Sequence, residues 1–274
     1  MSYHFHYTQQ GNSNLPVILF LHGFMGSSTD FEAVISQLSH EFCCLAIDLP
    51  GHGKTIVQGN DEQYRMPETA RALVDWLEQL GIPACFLVGY SMGGRLALYL
   101  TLEFSRRFPK TVLESASPGL KTRQEQQERL QHDQSLAKRL EADFPTFLTN
   151  WYDQPLFQSL QQHPAFEQVR LQRSQNRPPE LAKSLRHLST GQQPALWDAL
   201  DQHLGSLLLL VGENDRKFCQ INQEMASRCP DARLEIVPQC GHAVHLEQPH
   251  FFVKSVREFL RDSWLLTPDL KELF

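Results

Sequence analysis

No apolar run in this 274-residue chain approaches the roughly 18 residues needed to cross a bilayer, so no stable membrane insertion is expected. Positive charge is not in excess. Lys and Arg number 25 against 31 Asp and Glu, giving a formal net charge of −6. That balance argues against a nucleic-acid partner, which favours a basic surface. It leaves acidic small molecules open, because a local arginine cluster can sit inside an acidic protein. The six cysteines, Cys43, Cys44, Cys85, Cys219, Cys229 and Cys240, form no CxxC pair, and no zinc site or other metal is expected. Residues 1–6 show no basic-then-apolar leader. A cytoplasmic protein with reduced thiols is expected. Internal repeats and low-complexity tracts are also missing. Nothing in the sequence bears on oligomeric state.

What is present is an ordinary globular composition, with 41% hydrophobic and 20% charged residues. A chain of this length buries a core without staples. Short apolar runs at 17–21, 43–47, 85–89, 112–113 and 207–211 read as buried parallel strands, with a weaker one at 234–237. Amphipathic stretches lie between them. Leu73, Trp76, Leu77 and Leu80 follow one helix face, as do Phe252, Val256, Phe259 and Leu260. This alternation implies a mostly parallel sheet with helices on both faces. Residues 118–204 break the rhythm. They carry no strong strand and have prolines at 145, 155, 164, 178, 179 and 194, which predicts several short helices. The expected organisation is a core of residues 1–117 and 205–274 with an inserted helical lid over 118–204.

The strongest motif is Gly89-Tyr90-Ser91-Met92-Gly93. It matches G-x-S-x-G, and it lies between an apolar strand and a helix-compatible run. The glycines leave room for a strained turn that lifts the serine above the sheet. A serine needs a base, and the base needs an orienting acid. The expected chain order is Ser, then Asp or Glu, then His. Asp215 follows the run 207–211, with Glu213 as a nearby competitor. His242 follows 234–237 beside Gly241, with His245 as its rival. Ser91, Asp215 and His242 are the preferred set, and the pattern implies an α/β-hydrolase fold. Two backbone N–H groups are expected to form an oxyanion hole. One belongs to Met92, and the other, after the run 17–21, to Phe24. The loop Asp48-Leu49-Pro50-Gly51-His52-Gly53 reads as a structural turn near the site. Ser115 and Ser117 read as loop residues.

With those residues in hand, the chain resembles the 2-succinyl-6-hydroxy-2,4-cyclohexadiene-1-carboxylate synthases of menaquinone and phylloquinone biosynthesis. The likeness covers nearly the whole chain. It rests on Val88-Gly89-Tyr90-Ser91-Met92-Gly93-Gly94-Arg95, on Glu114-Ser115-Ala116-Ser117-Pro118-Gly119-Leu120 leading to Glu128-Arg129 and Asp133, on Trp151-Tyr152-Asp153-Gln154-Pro155-Leu156-Phe157, and on Leu171-Gln172-Arg173-Ser174. Lys54-Thr55 departs from many relatives, which carry a small residue and Ser there. The resemblance implies a lyase without cofactor, acting on a small polycarboxylate. It eliminates pyruvate from an enolpyruvyl cyclohexene, with the triad serine as a base. It also implies that Arg95, Arg129 and Arg173 bind substrate carboxylates and that Tyr90 and Trp151 line the pocket. Arginine suits that task because its planar fork matches a carboxylate. Two other readings compete. One is a serine esterase, thioesterase or C–C bond hydrolase using Ser91 as nucleophile. The other is a binding protein that has kept the fold without turnover.

Overall fold

The structure, a computed structural model, describes residues 2–264 apart from 202 and 204. The last residue of the expected insertion and residues 265–274 of the expected core therefore lie outside the described residues. The strands are β1 (Ser2–His4), β2 (Tyr7–Gln10), β3 (Val17–Leu21), β4 (Cys43–Ile47), β5 (Ile56–Gln58), β6 (Phe86–Tyr90), β7 (Lys110–Glu114), β8 (Ser206–Gly212) and β9 (Ala232–Val237). Seven form one sheet in the order β2-β4-β3-β6-β7-β8-β9. All neighbours run parallel except the edge pair β2–β4. β1 and β5 pair separately. The sequence runs do not mark β1, β2 and β5, because these short strands are largely exposed and lack an apolar run.

Alternation along the strands separates two apolar layers. Ile18 and Phe20 of β3 join one cluster with Phe31, Val34, Phe252 and Val256. Leu19 and Leu21 join the other with Leu73, Leu77, Leu96 and Leu100. Helices α1 (Glu32–Leu38) and α12 (Pro249–Trp264) thus cover one face. Helices α2 (Met66–Gln79) and α3 (Met92–Glu103) cover the other. The expected stripe on α2 ends early. Leu80 is 39% exposed, and the helix stops at Gln79 because Gly81 turns the chain at φ +71°.

Between β7 and β8 the chain forms α4 (Arg123–Ala142), α5 (Phe144–Tyr152), α6 (Gln158–Gln161), α7 (Phe166–Ser174), α8 (Pro178–His187) and α9 (Trp197–Leu200). Prolines sit in the first turn of two of them: Pro145 is the second residue of α5 and Pro178 the first of α8. One element is longer than expected. α4 runs for 20 residues behind a capping box of Thr122 and Glu125, and no Gly or Pro interrupts it. After β8 come α10 (Arg216–Arg228), then β9 and α11 (Val244–Glu247). Successive connections from β3 and β6 leave toward opposite edges of the sheet. Their carboxyl ends therefore flank a topological switch point, where open α/β sheets form their crevice.

Candidate active site

Ser91 sits at that switch point, between β6 and α3. Its backbone has φ 50° and ψ −107°, a strained conformation for a residue with a side chain. The flanking glycines make the turn possible. A Cβ on Gly93 would stand 2.1 Å from the Leu21 carbonyl oxygen, and one on Gly89 would stand 2.6 Å from that of Gly93. The Ser91 N–H donates to the Glu114 carbonyl at 2.8 Å, which ties the elbow to β7.

His242 Nε2 lies 3.0 Å from Ser91 Oγ, and His242 Nδ1 lies 2.6 Å from Asp215 Oδ2. The carboxylate takes the Nδ1 proton, so the Nε2 lone pair faces the serine. Asp215 is 5% exposed and caps α10 by accepting from Phe218 N–H. The competitors are engaged elsewhere. Glu213 is exposed and accepts from Gln239 N–H at 3.1 Å. His245 is fully enclosed, with its Nδ1 2.8 Å from a Glu114 carboxylate oxygen and its N–H donating to that carboxylate at 3.0 Å. Glu114 therefore joins the serine elbow, through its carbonyl, to the histidine loop, through its carboxylate. Glu247 braces the same loop by accepting from Gly241 N–H at 2.8 Å and from Ser159 Oγ at 2.5 Å.

The N–H groups of Phe24 and Met92 find no acceptor among the described residues. Met92 opens α3, where the first amides have no intrahelical partner. Phe24 is oriented by its own peptide unit. The Gly23 carbonyl accepts from His22 Nδ1 at 2.7 Å and from Gly26 N–H at 3.0 Å. His22 Nε2 in turn accepts from Leu49 N–H at 3.0 Å, which leaves the ring proton on Nδ1. With the carbonyl held, the Phe24 N–H of the same peptide plane points the opposite way. The 48–53 loop thus supports the oxyanion side through Leu49. Burial lowers the pKa of His22 and His52 and keeps both rings neutral.

A cavity of about 260 Å³ lies over Ser91 and His242. Phe24, Tyr90, Met92, Arg95, Arg129, Trp151 and Arg173 all line it, so every residue expected in the pocket is brought to it. Asp215 stands behind His242. Tyr90 packs at a tilt against His242 with ring centroids 5.4 Å apart, and the Trp151 ring lies 5.1 Å from that of Phe24. Burial, then the nearby Glu114 carboxylate, pushes the Tyr90 hydroxyl well above its usual range, so it stays neutral.

The three arginines are not equivalent. Arg95 forms no ion pair among the described residues; it donates to Gln193 Oε1 at 3.0 Å and to the Leu188 carbonyl at 2.9 Å. Burial, then the adjacent Arg129 charge, lowers its pKa to about 10. Arg129 Nε pairs with Asp133 at 2.8 Å, and no partner takes its two terminal nitrogens among the described residues. Arg173, expected to bind a substrate carboxylate, already has a carboxylate partner within the protein. It is 4% exposed and clamped in two-pronged fashion by Asp30, at 2.7 and 2.6 Å. Burial alone raises the Asp30 pKa, but the Arg173 charge and hydrogen bonds outweigh it and hold the carboxyl below its usual value. The pair links α7 to the loop before α1, a contact that no local pattern announces. Lys217 also lines the cavity. Its place two residues after Asp215 was the available signal, since loops at the carboxyl ends of strands carry the site.

This geometry defines a class: a parallel α/β sheet with a serine elbow, a histidine and an aspartate meeting above its carboxyl edge. The family described as alpha/beta hydrolase fold matches residues 16–249. Within that class, the chain belongs to the family of 2-succinyl-6-hydroxy-2,4-cyclohexadiene-1-carboxylate synthases. It is 34% identical to the enzyme of that name from Serratia proteamaculans, over 92% of this chain and 96% of the other. It is 36% identical to the chloroplastic protein PHYLLO of Arabidopsis thaliana, over 91% of this chain but 16% of that one. The solved structure of MenH from S. aureus superposes with a TM-score of 0.88 at 34% identity, covering 95% of this chain and 98% of that one.

Proposed function

We propose that the chain is a 2-succinyl-6-hydroxy-2,4-cyclohexadiene-1-carboxylate synthase, a lyase of menaquinone or phylloquinone biosynthesis. It acts on 2-succinyl-5-enolpyruvyl-6-hydroxy-3-cyclohexene-1-carboxylate and releases pyruvate. The observation that carries this reading is Arg95: a cation in the cavity wall, one turn from Ser91, with neutral partners only. A site for neutral esters has no use for such a charge. A polycarboxylate supplies the missing anion.

The chemistry follows from the triad geometry. His242 Nε2 draws the Ser91 proton, and Ser91 Oγ takes a proton from the carbon beside the succinyl ketone. Charge develops on the ketone oxygen, where the Phe24 and Met92 amides stabilise an enolate as they would a tetrahedral oxyanion. The electrons then return through the ring double bond, and the ether bond to the enolpyruvyl group breaks. The departing enolpyruvate takes up a proton on carbon and becomes pyruvate. Asp215 stabilises the imidazolium formed in between. Tyr90 and Trp151 supply the apolar walls. Residues 118–204 act as a lid, because Arg129, Trp151 and Arg173 come from it. Six free cysteines suit a reducing, cytoplasmic setting.

The test is turnover of the enolpyruvyl substrate, read as pyruvate release, with enzyme quenched during turnover and weighed intact. Proton transfer leaves Ser91 unmodified. A substrate-derived ester accumulating on Ser91 would turn the reading to a serine hydrolase.

A further inference from the structure

We infer that Lys217 is a further substrate-binding residue and holds the carboxylate at the end of the substrate's succinyl chain. This inference rests on the synthase reading above, whose substrate carries three carboxylates.

Charge bookkeeping in the cavity leads to it. Four cations line the wall: Arg95, Arg129, Arg173 and Lys217. Arg173 is neutralised by Asp30 in a buried two-pronged pair. A guanidinium held in that way has little charge left for a ligand. Arg129 is half-compensated through its Nε by Asp133, which is itself anchored by Ser189 Oγ at 2.6 Å. Arg95 and Lys217 are the two lining cations that meet no carboxylate among the described residues. Three anions therefore have three stations: Arg95, the open edge of Arg129, and Lys217.

Position separates these stations. Arg95, which reaches the end of α8, and Arg129, on α4, feel each other's charge. Lys217 stands elsewhere, in the first turn of α10, the helix that Asp215 caps. Its Nζ lies 5.8 Å from the centroid of the Phe218 ring, and that ring lies 4.8 Å from the His242 ring. Lys217 is thus placed beyond His242, on an exposed side chain at the cavity edge. The ring carboxylate and the enolpyruvyl carboxylate sit on or next to the rigid ring. The succinyl carboxylate ends a flexible chain of two methylenes, so it is the one able to reach outward. A flexible, hydrated ammonium is a point charge that tolerates such a ligand, whereas a planar fork would demand fixed geometry.

The experiment compares wild type with Lys217→Ala, Lys217→Arg and Arg216→Ala, using pyruvate release from the natural substrate. Arg216→Ala removes one positive charge beside Lys217 but outside the cavity lining, so it controls for long-range field effects. Lys217→Ala is expected to raise KM about tenfold, the loss of one charge-assisted hydrogen bond, with kcat within about twofold. Lys217→Arg should recover most of the loss, and Arg216→Ala should stay near wild type. On a substrate whose succinyl carboxylate is replaced by a carboxamide, wild type and Lys217→Ala should have the same KM. A KM for Lys217→Ala within twofold of wild type on the natural substrate overturns the inference while leaving the synthase reading standing. A Lys217 effect that persists on the carboxamide overturns the assignment to the succinyl end. Failure of the wild type to release pyruvate at all would sink the synthase reading itself.

Discussion

The floor and the roof of the cavity share an apolar core but differ in their polar contacts. On the floor, Ser91, His242 and Asp215 are joined by short hydrogen bonds and come from loops after three parallel strands. The roof, from residues 118–204, is tied to the core by long-range polar contacts. Arg173 grips Asp30, Arg95 reaches Gln193 and the Leu188 carbonyl, Asn176 donates to the Met25 carbonyl at 2.8 Å, and Tyr64 donates to Glu180. The floor is fixed by backbone and sheet. The roof is fixed by apolar packing on the core together with these polar contacts, and the charged ones among them respond to substitution and to pH. The catalytic geometry can therefore survive damage that loosens substrate binding.

The sharpest way to break the floor is to remove its chemistry. Ser91→Ala, Asp215→Asn or His242→Ala should lower kcat by on the order of 10⁴- to 10⁶-fold, while thermal unfolding stays near wild type. Losses should not add in the double variants, because the three residues act as a unit. Near-normal turnover in His242→Ala, with His245→Ala inactive, would reverse the assignment of the base.

The corresponding break in the roof is Asp30→Asn. It leaves Arg173 buried with its charge uncompensated, which costs on the order of 3–5 kcal/mol. A urea titration should show that loss of stability, and adding Arg173→Met should recover part of it. An unchanged midpoint for Asp30→Asn would mean that the pair does not hold the roof down.

Arg95 tests the border between the two regions. Arg95→Ala should reduce kcat/KM by roughly ten- to a hundred-fold, the loss of one charged hydrogen-bonded pair. Lysine should rescue it in part, keeping the charge but not the fork. Equal losses on a small neutral ester would assign Arg95 to structure rather than to carboxylate binding.

The smallest expected effect is on pH dependence. Burial holds His22 and His52 below their ordinary pKa of 6.5, so both stay neutral in the fold. Below about pH 6.5 the unfolded chain takes up protons that the folded chain refuses. Stability contributed at neutral pH is therefore lost as pH falls beneath that value. Denaturant midpoints measured between pH 8 and pH 5 should decline for the wild type. The decline should flatten in His52→Gln, and an unchanged slope would remove that residue from the account.

Much of the floor was legible because it is local. A G-x-S-x-G motif needs Gly89 and Gly93 for steric reasons that hold wherever the elbow occurs; the strand that precedes Asp215 is a continuous apolar run, and the weaker run 234–237 precedes His242. The choice between Asp215 and Glu213 was harder, since two carboxylates two residues apart carry the same local signal. The turn decides it. Glu213 points outward to the Gln239 amide, and Asp215 swings inward as the cap of α10. His245 was a rival for the same reason, until Glu114 claimed it. The exposed strands β1, β2 and β5 had no apolar signature to read.

What the sequence by itself determined is the order of the buried strands and the helices that cover them, the serine elbow, and the residue types that make carboxylate binding possible. Those features depend on backbone sterics and on periodicities of two and 3.6 residues, which act over a few neighbours. What only the tertiary structure decided is which charges remain available. Arg173 and Asp30 are 143 residues apart in the chain, yet they cancel each other inside the protein. Lys217 and Arg95 form no ion pair among the described residues. No local pattern encodes that outcome, because pairing between distant charges depends on which side chains the fold brings within about 4 Å in a medium of low dielectric.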